Sequence, residues 1–199
     1  MALAGCEPVQ SLCPFFDPKD VVYDSELLGM WVSKTEDGFY VKLYFQKAQD
    51  EADADAYKVD FMVHNDKPDE DKPKDGTITF SVHLFQAGDS RFADFYPLKY
   101  SAKWDSRAVE FEATDNLFGM PTHTVYQVKL DKDHLQLAWL DDNYVKKFIT
   151  ENNLPLAADG ADHFVLSGKT DELKASLLVR AEKEDLLSHD DGFEFVREK

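Results

Sequence analysis

Strict alternation of apolar and polar residues dominates the chain between residues 27 and 140. In the clearest run, Thr77–Leu84, the apolar residues Ile78, Phe80, Val82 and Leu84 occupy every second position. A period of two residues predicts a β-strand, because successive side chains of a strand point to opposite faces. Less regular forms of the same pattern predict seven further strands, at 27–34, 38–47, 56–64, 91–96, 108–113, 122–130 and 134–140.

The periodicity changes after residue 140. Residues 141–153 carry apolar side chains at helical spacing, which predicts an amphipathic helix. Residues 170–187 predict a second helix, with acidic residues in its first turn. Short strands are predicted on either side of this second helix, at 162–168 and 193–197.

This order of elements predicts a mainly β fold. Eight or slightly more antiparallel strands would form an up-and-down barrel with two C-terminal helices, because closure removes the exposed edges of a sheet. An open β-sandwich with packed helices is the alternative. The sequence divides into an N-terminal tether, residues 1–24, and one barrel domain, residues 25–199. A barrel of about eight strands holds either packed side chains or one small ligand.

Composition narrows the classes of partner. The 22 basic and 39 acidic residues give a net charge of −17, which disfavours binding to nucleic acid. The sequence has no cluster of basic residues for anionic lipid and no run of about 18 apolar residues that would form a spanning helix. Contact with a membrane is therefore expected only through an attached anchor.

The stretch Leu3-Ala4-Gly5-Cys6 resembles the lipobox of bacterial lipoproteins, in which a peptidase cleaves before the cysteine and acyl chains are attached to it. The resemblance implies lipidation of Cys6 and a location in the bacterial cell envelope, facing the periplasm or the exterior. A lipoprotein export signal also has an apolar stretch of about 7–15 residues before the box. This interpretation therefore expects coding sequence upstream of Met1.

Gly29-Met30-Trp31 resembles the Gly-x-Trp motif on the first strand of lipocalins and their calycin relatives. In that family an arginine from a late strand packs over the tryptophan and closes one end of the barrel. The resemblance implies this closing role for Gly29, Trp31 and Arg197. Thr114-Asp115 also resembles part of the lipocalin Thr-Asp-Tyr motif, with Asn116 in place of the tyrosine.

Candidate chemistry is sparse. The six histidines show no metal-ligand spacing, and no nucleophile elbow, phosphate loop or dinucleotide fingerprint occurs. We therefore expect no catalytic residue, no metal and no cofactor. Of the two cysteines, Cys6 and Cys13, the second is compatible with a free thiol or a disulfide.

The aromatic residues on alternating positions indicate binding instead. Together with two histidines on polar strand faces, they form the set of candidate pocket residues: Phe39, Tyr57, Phe61, Phe80, His83, Phe111, His123, Tyr126 and Trp139. A lined, mostly apolar interior is typical of a site for a small apolar ligand. The alternatives are a filled barrel that serves a structural role or binds an unidentified protein partner, and an enzyme with its site at the barrel mouth.

Overall fold

The computed structural model describes residues 9–34, 39–49, 54–65, 74–103, 108–112, 121–152, 154, 156–159, 164–178 and 187–198. The strands are β1 Gln10–Ser11, β2 Gly29–Lys34, β3 Phe39–Lys47, β4 Tyr57–Asn65, β5 Asp75–Ala87, β6 Ser90–Lys103, β7 Ala108–Glu112, β8 His123–Asp131, β9 His134–Leu140, β10 Leu156–Asp159, β11 Phe164–Leu166 and β12 Leu187–Arg197. The helices are α1 Asp142–Asn152 and α2 Thr170–Glu172, which continues as a π-helix over Leu173–Leu178. Two 3₁₀-helices cover Pro18–Asp20 and Ser25–Leu27.

Eight of these strands form a closed antiparallel barrel. They follow one another around the ring in the order β2, β3, β4, β5, β6, β8, β9 and β12, and β12 pairs again with β2. Each barrel strand is therefore next to its sequence neighbour among the barrel strands, as in an up-and-down barrel. The predicted mainly β fold with an eight-stranded antiparallel barrel is confirmed, and the open sandwich is not formed.

The structure differs from the prediction in the set of strands that form the ring. The C-terminal strand β12 lies between β9 and β2, whereas β7 pairs only with the second half of β6, over Lys99–Lys103. The first half of β6 pairs with β8, over Arg91–Phe95. One long strand thus serves two neighbours, and β7 lies outside the ring.

A bulge in β6 separates these two halves. Thr79 of β5 lies opposite Lys99, but Phe80 lies opposite Pro97, so Leu98 is the additional residue. Proline has no N–H to donate to a neighbouring strand and is therefore found at bulges. The bulge bends β6 and leaves the Leu98 side chain exposed.

The second predicted helix agrees with the structure over residues 170–178, whereas Leu187, its last predicted residue, begins β12. The helical segment spans residues 170–178, and residues 179–186 lie outside the described part of the chain. The first predicted helix agrees with α1, whose Tyr144 N–H donates to Asp141 Oδ1 at 2.8 Å. No helix among the described residues is both long and apolar enough to cross a membrane.

Two apolar cores lie on opposite sides of the barrel wall. The interior core is formed by Leu27, Trp31, Val41, Leu43, Phe45, Tyr57, Val59, Val82, Leu84, Ala93, Phe95, Val128, Leu135, Leu137 and Phe195, with Leu28, Phe61, Phe80, Tyr126, Leu130 and Phe193 packed against them. The outer core lies between the wall, α1, the helical segment and the N-terminal residues, and includes Phe15, Phe85, Val125, Val145 and Phe148.

The N-terminal residues are part of this outer core. Val9 and Phe15 are buried, and β1 pairs with β8 and β11. Residues 9–16, part of the segment that the sequence analysis assigned to the tether, therefore pack on the outer face of the barrel. Residues 1–8, including Cys6, lie outside the described residues.

Candidate functional site

The predicted pair of Trp31 and Arg197 is in contact at one end of the barrel, which we call the closed end. Trp31 is fully buried, and its Nε1 donates to the carbonyl oxygen of Leu27 at 2.8 Å. The guanidinium carbon of Arg197 lies 4.1 Å from the centroid of the Trp31 ring. Arg197 also donates from Nη1 to the Leu28 carbonyl oxygen at 2.8 Å and from Nη2 to that of Glu26. The 3₁₀-helix before β2 is thereby fixed across the barrel end.

Gly29 makes this closure sterically feasible. Its φ of +115° is disfavoured for residues with a side chain, and a Cβ there would lie 3.3 Å from Arg197 Nη1. The glycine of the Gly-x-Trp motif therefore provides both the backbone conformation and the room for the guanidinium.

Tyr57 belongs to the same closed end. Its side chain is fully buried, and its hydroxyl donates to the carbonyl oxygen of Asp24 at 3.0 Å and accepts from the N–H of Asp24 at 2.6 Å. The Asp24 carboxylate is in turn bound by Arg91 Nη1 at 2.5 Å. Burial raises the pKa of Tyr57 to about 12. Tyr57 thus anchors the segment before β2 and does not lie at the open end.

The opposite half of the barrel presents aromatic rings that are less deeply buried. We define the open-half aromatic cluster as Phe61, Phe80, Phe95, Tyr126, Trp139 and Phe193. The rings contact one another in two groups of three. Around Phe193 the centroid distances are 6.2 Å to Phe61 and 5.6 Å to Trp139, and around Phe95 they are 5.5 Å to Phe80 and 5.2 Å to Tyr126. Phe61, Phe80, Tyr126 and Phe193 are partly exposed, whereas Leu43, Val59 and Leu84 nearer the closed end are fully buried.

Two polar atoms accompany these rings. Burial raises the pKa of Tyr126 to about 12, although a hydrogen bond with the Thr124 side chain acts in the opposite direction. Trp139 is 9% exposed, and its Nε1 is buried without a hydrogen-bond acceptor among the described residues. The cluster is therefore apolar, with one neutral hydroxyl and one indole donor.

The raised pKa values of Tyr57 and Tyr126 predict a loss of stability at high pH. A tyrosine of ordinary pKa ionises near pH 10, whereas Tyr57 and Tyr126 stay protonated in the folded chain to about pH 12. The unfolded state then binds fewer protons, so stability that is complete below pH 10 falls as the pH rises towards 12. Spectrophotometric titration of the folded protein should show late ionisation of Tyr57 and Tyr126. Tyr57→Phe and Tyr126→Phe should each remove one late-ionising group, and a variant that loses none would contradict the assignment.

Both candidate histidines lie on the outer face. Val82 and Leu84 belong to the interior core, so His83 between them points outward, where its ring stacks on Phe16 at 4.3 Å between centroids. His123 lies three positions before the inward-facing Tyr126 on the same strand, so its side chain points outward. Its Nδ1 lies 2.7 Å from Asp94 Oδ1. The structure therefore places neither histidine with the open-half aromatic cluster.

Asp94 connects His123 to the N-terminal segment. Its carboxylate is 1% exposed, and Oδ2 accepts a hydrogen bond from the N–H of Phe15 at 2.8 Å. Cys13, a free thiol, packs nearby against the outer core. This group of polar side chains fixes the N-terminal segment on the wall.

Two further candidates are placed by the backbone alone. Phe39 begins β3, and Phe111 is in β7, outside the ring of eight strands. The Thr114-Asp115 pair lies outside the described residues. Conversely, Phe193 belongs to the cluster but was not among the candidates, although its alternation with Phe195 in the predicted strand 193–197 would have identified it once that strand was placed in the barrel.

A separate groove lies on the wall between β12 and β2. Its volume is about 530 Å³, and it is lined by Val32, Ser33, His134, Glu194, Phe195, Val196 and Glu198. In the described structure these two strands pair only through Val196–Val32 and Arg197–Trp31. Glu198, one of the lining residues, accepts a hydrogen bond from Lys42 Nζ at 2.8 Å.

The described residues include no group of three or more His, Cys, Asp or Glu side chains placed to hold a metal ion. Comparisons with protein families, curated proteins and solved structures found no match to this chain.

Proposed function

We propose that this chain binds a small apolar ligand in the open half of a lipocalin-like barrel and is held at the bacterial cell envelope by lipid on Cys6. The observation that carries the binding proposal is the difference between the two halves of the interior. The closed half is filled by fully buried side chains, whereas four rings of the open-half aromatic cluster remain partly exposed.

Partly exposed rings inside a barrel favour a ligand on physical grounds. Burial of apolar surface is favourable by about 25 cal/mol per Å², so a molecule that covers these rings gains free energy from both surfaces. The rigid closure by Trp31 and Arg197 supports this, because a site on a pre-organised frame loses less entropy on binding.

The anchor fits the position of the N-terminal segment. Cys6 precedes the buried Val9 by three residues, which span at most about 10 Å. Gln10 and Ser11 pair with Thr124 and His123, at the start of β8 and hence at the open half. Acyl chains on Cys6 would therefore hold the open half of the barrel near a bilayer, from which an apolar ligand can be drawn.

A filled barrel that acts through its outer surface is the competing function. It is favoured by the ring contacts within the open-half aromatic cluster, which show that these side chains also pack on one another. The two functions differ in whether a small molecule enters the barrel.

Binding of the neutral apolar dye phenylnaphthylamine tests the proposal. The dye should gain fluorescence with the intact chain and be displaced by apolar competitors. Phe80→Asp should weaken binding by about tenfold or more, because a carboxylate in this apolar setting must stay hydrated. Tyr44→Asp is the matched control on the outer face, where Tyr44 is 39% exposed, and should leave binding unchanged.

Native mass spectrometry of gently purified protein provides a second measurement that needs no variant. A discrete added mass that is lost on denaturation would support the binding function. An apo mass together with no dye fluorescence would overturn it in favour of the filled barrel.

A further inference from the structure

The indole N–H of Trp139 is a buried side-chain donor of the open half that lacks a partner among the described residues. It is buried, and no described residue accepts a hydrogen bond from it. An indole nitrogen can only donate, and buried donors are paired in the great majority of proteins. An unpaired donor at a proposed binding site indicates that the ligand supplies the acceptor.

The strand register directs Trp139 into the barrel. Leu135 and Leu137 share its face of β9 and belong to the interior core, whereas Ala138 and Leu140 belong to the outer core. Its ring lies 5.6 Å from that of Phe193 between centroids. The donor is therefore on the same side of the wall as the open-half aromatic cluster.

The charge of the interior restricts the ligand further. On the strands that carry the open-half aromatic cluster, the neighbouring positions of the inner face are uncharged: Val59, Val63, Ile78, Val82, Ala93, Thr124, Val128, Leu137 and Phe195. Arg197 and Arg91 lie at the closed end, where Arg197 covers Trp31 and Arg91 binds Asp24. A carboxylate ligand would therefore lose its hydration without gaining a cation, which is strongly unfavourable.

We propose that the ligand is an uncharged, largely apolar molecule with a carbonyl-type oxygen that accepts a hydrogen bond from Trp139 Nε1. Ketones, esters and amides belong to this class, whereas free fatty acids and plain hydrocarbons do not. This inference rests on the proposed function, because it requires that a ligand occupies the open half.

Three probes of similar shape separate these classes. Acetophenone carries the carbonyl, ethylbenzene replaces it by a methylene group, and benzoate is charged at neutral pH. In NMR titrations of the full chain, acetophenone should bind about tenfold more tightly than either of the others, the usual effect of leaving a buried donor unpaired. The indole proton signal that disappears in Trp139→Phe should move downfield with acetophenone and not with ethylbenzene.

The Trp139→Phe variant keeps an aromatic ring and removes the donor. The affinity for acetophenone should fall by about tenfold and the affinity for ethylbenzene by less than about twofold, since only acetophenone loses a hydrogen bond. Phe193→Leu is the control for ring contact and should affect both probes alike.

The outcomes distinguish this inference from the proposed function. Two results would overturn the proposal that the ligand accepts a hydrogen bond from Trp139 Nε1: equal affinity for acetophenone and ethylbenzene, or an indole signal that does not move on saturation with acetophenone. Either result would leave the apolar binding site itself intact. Benzoate binding as tightly as acetophenone would overturn the requirement for a neutral ligand. Failure of all three probes and of phenylnaphthylamine to bind would overturn the proposed function itself. If Trp139→Phe does not fold, the indole signals of the unaltered chain, compared between acetophenone and ethylbenzene, decide the question.

Discussion

Trp31→Ala is expected to lower the free energy of unfolding by about 3–5 kcal/mol, the usual cost of truncating a fully buried aromatic residue. The indole fills the closed end of the barrel and is 0% exposed. Its removal also deprives the Leu27 carbonyl of its donor at 2.8 Å and the Arg197 guanidinium of the ring 4.1 Å away. The residual cavity and the unpaired groups therefore act in the same direction.

Urea unfolding followed by circular dichroism measures this change. Tyr44→Ala, which truncates a 39% exposed aromatic residue on the outer face, should alter stability by less than about 1 kcal/mol. The dependence of the unfolding free energy on urea should be the same in both variants, as expected when the folded state keeps its extent. A Trp31→Ala effect no larger than that of Tyr44→Ala would contradict the closing role.

The barrel could be predicted because most of its strands are amphipathic. In β4 and β5 one face packs in the interior core, so apolar residues recur at every second position, as at Val59 and Phe61 or Val82 and Leu84. This information is local and is readable without any knowledge of neighbours.

The C-terminal strand shows where local information ends. The pattern predicts a strand only at 193–197, because residues 187–192 include Ser188 and Gly192 and no apolar alternation. In the structure β12 begins at Leu187, since it pairs with β9 on both sides of an irregularity between Ser188 and Phe193. Backbone pairing with a neighbouring strand, not side-chain pattern, defines this part of the strand.

The face of a strand that points into the barrel could not be predicted from local sequence either. Alternation places His83 opposite Val82 and Leu84, but the outer face of β5 is buried as well, by Phe15 and Phe16 from the N-terminal segment. That segment has no periodicity, so its docking on the wall could not be inferred from sequence.

Part of the candidate site was accessible from sequence for the same reason as the barrel. Phe61, Phe80, Tyr126 and Trp139 stand on alternating positions. In the structure their rings contact Phe193 or Phe95 in two groups of three on the inner face. The unpaired state of Trp139 Nε1 depends on every neighbour of the ring and therefore appears only in three dimensions.

Asp94→Ala is expected to destabilise the fold by about 2–5 kcal/mol, because the buried Phe15 N–H and the half-buried His123 ring lose their acceptor at once. Oδ2 accepts from the Phe15 N–H at 2.8 Å, and Oδ1 lies 2.7 Å from His123 Nδ1. An ionised carboxylate only accepts hydrogen bonds, so the histidine donates. The bond to Phe15 spans 79 positions of sequence and attaches the N-terminal segment to β6.

Urea unfolding combined with hydrogen exchange tests this attachment. In Asp94→Ala the amides of Gln10–Phe16 should exchange faster relative to those of β4, because the segment opens before the barrel does. Asp94→Asn keeps an acceptor for the Phe15 N–H and should have an intermediate effect, and the exposed-site control Asp131→Ala should have little. Unchanged exchange of the segment in Asp94→Ala would mean that the packing of Phe15 alone holds it.

If the segment does open first, the proposed lipid anchor at Cys6 would be attached to a segment that detaches from the barrel before the barrel unfolds. The distance between barrel and bilayer would then depend on Asp94.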